Sequence, residues 1–128
     1  MFVTLTRTFR FEAARRLPTI PADHPCAHVH GHGFVVELSL SGEVDPEAGW
    51  LMDYGAIADA WESIRPTLDH RYLNDVPGLE NPTSEYLARW IWRALAPRLA
   101  PLDAVAISET PDTRCVYRGD APARKEHR

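Results

Sequence analysis

From His28 to Ser41 the chain alternates without a break, and this stretch limits what the rest can become. Phe34, Val36, Leu38 and Leu40 fall on one parity, and Val35, Glu37, Ser39 and Ser41 on the other. Successive side chains of a β-strand point to opposite faces, so the pattern predicts a long strand with one face buried. His28, His30 and His32 share the apolar parity, which brings three of the six histidines to one end of that face. Same-face neighbours on a strand lie roughly 6.5 to 7 Å apart, near enough for two imidazoles to close on one metal ion. The outer pair would be roughly 13 Å apart, too far to share an ion whose Zn–N bonds are about 2.0 to 2.1 Å. A metal here wants a further ligand from elsewhere in the chain.

A long strand with one apolar face needs partners. Val3, Leu5, Phe9 and Phe11 alternate with Thr4, Thr6, Thr8, Arg10 and Glu12, which predicts another half-buried strand over residues 3–13. Continuing its parity turns Arg15 inward. Three prolines between Leu17 and Pro25 make that connection a loop. After a turn over residues 42–50, Asp53 is placed to cap a helix carrying Ile57, Trp61, Ile64 and Leu68. Pro66 is expected to kink or end that helix, leaving residues 68–75 as its last turn and exit. Asn81-Pro82 predicts the start of a second helix, with Leu87, Trp90, Ile91, Ala94 and Leu95 on one side and Pro97 and Pro101 beyond its end.

Val105, Ile107 and Glu109 alternate with Ala104, Ala106 and Ser108, so a third strand ends with a carboxylate on its apolar face. Cys115 to Arg118 reads as a short fourth strand, and residues 119–128 as a polar tail expected to be disordered. The order predicts a single α+β domain over residues 1–118, a four-stranded antiparallel sheet with two helices packed on one face (ββααββ). Its open edges lead us to expect self-association.

A chain of 128 residues, 45% hydrophobic and 25% charged, suits one globular domain. No apolar run approaches the roughly 20 residues of a membrane span, and Met1-Phe2-Val3-Thr4 lacks the charged and apolar regions of a signal peptide, so a cytoplasmic location is expected. A formal charge of −4 without a basic run argues against nucleic-acid or anionic-membrane partners. Small molecules and further copies of the chain remain. The two cysteines read as thiols, with a pairing of Cys26 and Cys115 left open.

Four features could carry chemistry. His30 and His32 form the best metal-binding pair, or else are histidines satisfied by hydrogen bonds at a strand end. Cys26 would be a reactive thiol where positive charge lowers its pKa, or otherwise a small buried hydrophobe. Asp69-His70 sets a carboxylate beside an imidazole, a proton-relay pairing that also arises from simple helix capping. The inward Glu109 needs a partner: either a ligand edge with adjacent N–H donors or an internal ion pair with one of thirteen arginines.

Together these residues resemble a family. Phe11-Glu12-Ala13-Ala14-Arg15-Arg16-Leu17-Pro18, Cys26 with His30-Gly31-His32, Leu68-Asp69-His70 with Leu73-Asn74, Asn81-Pro82-Thr83-Ser84-Glu85, and Ser108-Glu109-Thr110 with Tyr117 follow the order of the 6-pyruvoyl-tetrahydropterin synthase family. The resemblance is greatest to its 6-carboxytetrahydropterin synthase (QueD) branch of the queuosine, or 7-deazapurine, pathway, and it runs to about Gly119. It implies a tunnelling (T-) fold, a homohexamer of two stacked trimers with sites at subunit interfaces, and a zinc-dependent lyase acting on 7,8-dihydroneopterin triphosphate. In this branch the expected products are 6-carboxytetrahydropterin, acetaldehyde and triphosphate. By the same resemblance His30 and His32 are zinc ligands, Cys26 the general base or acid, Asp69 and His70 its proton-transfer partners, and Glu109 the anchor of the pterin.

One position departs from the pattern. Arg15 stands where the family has a third zinc-binding histidine, and a guanidinium offers donors only. Three outcomes follow: zinc held by His30, His32 and a substitute such as His28 or His24; the arginine doing part of the metal's electrostatic work; or a pterin pocket that has lost its chemistry. The alternatives to the carboxy-forming lyase are therefore a catalytically impaired pterin-binding protein and a 6-pyruvoyl-tetrahydropterin synthase.

Overall fold

A computed structural model describes residues 1–120. Four strands, β1 (Phe2–Arg15), β2 (His30–Glu43), β3 (Leu102–Ser108) and β4 (Cys115–Tyr117), form one antiparallel sheet in the order β1-β2-β3-β4. Two helices, α1 (Tyr54–Leu68) and α2 (Ser84–Leu95), lie between β2 and β3 in the chain. They bring Ile57, Trp61, Ile64, Leu68, Leu87, Ile91 and Leu95 into one buried cluster with Phe11, Phe34, Val36, Leu38, Leu40, Val105 and Ile107 of the sheet. The predicted α+β architecture is the observed one, and each fully buried Leu, Ile or Phe contributes about 1.5–3 kcal/mol. None of the helices among the described residues is long and apolar enough to cross a membrane.

Local chemistry explains most element ends. Asp53 caps α1 as expected, its Oδ1 accepting from Gly55 N–H at 2.9 Å. Pro66 does not end α1, which continues to Leu68. A proline this late removes one backbone donor, and burial of Leu68 (0% exposed) holds the final turn in place.

Of the predicted boundaries that move, including the third strand, which ends at Ser108 and leaves Glu109 just beyond it, the starts of β2 and α2 bear most on the site. β2 starts at His30, because a 3-10 turn over Pro25–Ala27 runs into His28 as its C-cap and leaves that side chain exposed. His28 thus does not share the inner face with His30 and His32. α2 starts at Ser84, because the Thr83 hydroxyl accepts from Tyr86 N–H at 3.2 Å and makes Thr83 the cap. Asn81-Pro82 lies before the helix, where the Pro82 carbonyl is free to accept from another element. The expected polar tail lies, from residue 121 onward, outside the described residues.

Candidate functional site

The β1–β2 register assembles the site. Phe11 pairs with Phe34, Ala13 with His32 and Arg15 with His30, so the apolar face passes from stacked phenylalanines, 4.9 Å between centroids, to imidazoles and a guanidinium within two residue pairs. Arg15 is 3% exposed. Its guanidinium lies over the Phe34 ring at 5.0 Å, Nη1 donates to the Pro82 carbonyl at 3.0 Å, and Nη2 donates to Glu109 Oε1. The second carboxylate oxygen accepts from the Ser84 hydroxyl at the start of α2. Three elements thus converge on one ion pair.

Glu109 sits just beyond the end of β3, 22% exposed. Burial pushes its carboxyl up, but the hydrogen bonds from Arg15 and Ser84, with the guanidinium charge, outweigh this and hold it below the usual carboxylate range. His32 Nε2 faces the same Oε1 at 3.4 Å without forming a hydrogen bond. Both His32 Nε2 and Arg15 Nε are buried and have no hydrogen-bond partner. These are two polar atoms with nothing yet to bind.

The end of β1 is fixed from outside the sheet. Asn74 accepts from Arg16 N–H at 2.8 Å and donates to the Arg16 carbonyl at 2.7 Å, behaving as a one-residue strand beside Arg15. Leu17 N–H donates to the Cys26 carbonyl at 2.9 Å, which ties the 3-10 turn to the same segment. The Cys26 side chain is half-buried, and no hydrogen bond joins its thiol to another candidate residue. Both cysteines are free thiols, so the pairing left open in the sequence does not form.

Asp69 and His70 approach from the end of α1. Asp69 Oδ1 accepts from Glu12 N–H at 3.0 Å, and Oδ2 from Arg65 Nη1 at 3.0 Å, while His70 Nδ1 lies 3.5 Å from Oδ2. The Glu12 N–H, with the neighbouring His70 and Arg65 charges, holds the Asp69 carboxyl below its ordinary range despite its burial. His70 has φ +60, the left-handed region, and its N–H donates to the Glu12 carbonyl at 2.6 Å. Such a conformation costs a non-glycine residue about 1–3 kcal/mol, here offset by two backbone anchors to β1. The result is an imidazole held 80% exposed at the rim of a 540 Å³ cleft, which is also lined by Ala13, Gly31, His32, Gly33 and Tyr72.

The donors present do not fit a zinc site. Among the described residues no group of three or more His, Cys, Asp or Glu side chains is placed to hold a metal ion. His30 and His32 stand edge to face with centroids 6.1 Å apart. The position from which a third imidazole was expected holds the paired guanidinium of Arg15. Of the proposed substitutes, His24 is exposed with its Nδ1 accepting from Cys26 N–H at 3.0 Å, and His28 is exposed.

The model of the family described as 6-pyruvoyl tetrahydropterin synthase matches residues 4–120. The chain belongs to this family. It is 36% identical over 110 residues to a 6-carboxy-5,6,7,8-tetrahydropterin synthase from Synechocystis, a match spanning 81% of this chain and 84% of that one. It is 38% identical over 100 residues to a 6-pyruvoyl tetrahydrobiopterin synthase from Dictyostelium discoideum, over 74% of each chain. Among solved structures, the Caenorhabditis elegans 6-pyruvoyl tetrahydropterin synthase superposes with a TM-score of 0.85 at 29% identity, covering 94% of this chain and 97% of its own. The sheet and helices are the T-fold of this family.

Within that fold Arg15, His32 and Glu109 meet on one carboxylate oxygen, and His70 faces the cleft that His32 lines. Three further residues carried no role in the sequence reading. Ser84 holds Glu109, the Pro82 carbonyl holds Arg15, and Asn74 holds the Arg16 backbone next to them. Their positions inside the quoted Asn81–Glu85 and Leu73-Asn74 motifs were the available signal.

Proposed function

We propose that the chain is a pterin side-chain lyase of the 6-carboxytetrahydropterin synthase type, converting 7,8-dihydroneopterin triphosphate and one water to 6-carboxytetrahydropterin, acetaldehyde and triphosphate. The observation carrying this reading is the cleft that His32 and the backbone-anchored His70 both line, with Glu109 Oε1 3.4 Å from His32 Nε2. The likeness to the Synechocystis protein, 36% identical over 81% of this chain, supports the carboxy-forming branch.

In this reading Glu109 receives the amino-pyrimidine edge, since an ionised carboxylate has about four lone-pair sites and two are in use. Cys26 and His70 move protons on and off the side-chain carbons and hydroxyls, and Asp69, kept ionised, orients the His70 ring. His32, which lines the cleft, hydrogen-bonds the ligand's oxygens, and the buried Arg15 holds Glu109 in place. The reading includes the homohexamer of two stacked trimers that the sequence resemblance implies.

The test is product analysis of the purified chain with 7,8-dihydroneopterin triphosphate. Acetaldehyde with a 6-carboxy pterin is expected. A 6-pyruvoyl product moves the chain to the sister enzyme. The buried Arg15–Glu109 pair favours a second reading, a pterin-binding protein without turnover, and binding with no product would establish that one.

A further inference from the structure

The end of β1 and β2 holds two imidazoles, a carboxylate and a buried guanidinium. We infer that this site works without a resident zinc ion, because Arg15, locked to Glu109, fills the place from which a third ligand would come. The inference rests on the proposed lyase reading for its ligand and on the geometry alone for its metal.

The donor set argues first. A ligating imidazole nitrogen must be unprotonated. His30 Nδ1 lies 2.8 Å from the His28 carbonyl, which can only accept, so the Nδ1 carries the proton and Nε2 is open to a ligand. His32 Nε2 lies 3.4 Å from Glu109 Oε1, on the carboxylate that Arg15 already holds. Two imidazoles with no third donor among the described residues fall short of the three protein ligands typical of catalytic zinc.

Charge argues in the same direction. Arg15 is permanently protonated and 3% exposed, and its guanidinium takes up the Glu109 carboxylate that would otherwise balance a cation beside His32. A dication beside His32 would meet that guanidinium at close range with little water to screen it.

Zinc binding to the full chain, purified without chelator and titrated against a chromophoric zinc indicator, tests this. The wild-type protein is expected to carry substoichiometric zinc and to leave the indicator saturated at micromolar concentrations of both. Arg15→His is expected to take up one zinc per chain under the same conditions. Stoichiometric zinc on the wild type overturns the inference, and so does an Arg15→His protein that folds yet gains no zinc, since Arg15 would then not stand in the third ligand's place. Should that variant not fold, imidazole nitrogen NMR shifts of the wild type during zinc addition decide: unmoved His30 and His32 signals support the inference, and shifted ones overturn it. A zinc-free chain that forms no product would count against the lyase reading while leaving the metal conclusion standing.

Discussion

Replacing Arg15 by methionine removes the charge and keeps much of the aliphatic volume, so its effect isolates the ion pair. The lost contacts are the guanidinium bonds to Glu109 and the Pro82 carbonyl and the stacking over Phe34. Removing one partner of a fully buried pair costs about 3–5 kcal/mol because the other charge is stranded. Here Glu109 keeps 22% exposure and the Ser84 hydroxyl, so the expected loss is smaller, about 2–3 kcal/mol. Urea unfolding followed by circular dichroism at pH 7 measures it, with an unchanged m-value showing that the denatured state is unaffected. A second substitution, Glu109→Leu, made on the Arg15→Met protein removes the stranded carboxylate and should recover part of the loss. A single-variant cost under about 0.5 kcal/mol, the range of solvated surface pairs, would refute the placement of Arg15 in a buried pair.

Two further outcomes follow from the same geometry. The Asp69 carboxyl is held below its ordinary range in the folded chain, so it contributes stability that is fully present above the unfolded carboxylate pKa and lost as pH falls through the folded value. Urea midpoints taken between neutral and acidic pH should show this decline, and Asp69→Asn should flatten it; an identical slope in the variant would remove Asp69 as its source. Asn74→Ala deletes both side-chain bonds to Arg16 and is expected to cost about 1–2 kcal/mol. The Arg16 amide should then exchange with solvent faster, and unchanged exchange would show that Asn74 does not hold the end of β1.

How much of this could be read beforehand depended on the range of the interaction. Alternation placed β1 and β2 and turned Arg15 inward, since parity is a local property that one residue's slip would invert. The helix cap at Asp53 was equally local. The start of β2 was not. His28 continues the parity, but the 3-10 turn led by Pro25 takes its backbone first. Nor did spacing show that Arg15, Ser84 and Glu109 meet, because each comes from a different element and only the folded sheet joins them. Glu109 was recognised as needing a partner, with an internal arginine as one option, and Arg15 is that arginine. The left-handed His70 was also beyond reach, since its φ is set by bonding to β1 and not by its neighbours in sequence.

The most direct measurement is the rate of acetaldehyde release from 7,8-dihydroneopterin triphosphate by the wild-type chain, before and after exhaustive treatment with a strong zinc chelator. If the site works without zinc, the rate is the same in both. Loss of turnover on chelation, restored by adding zinc, would contradict the account.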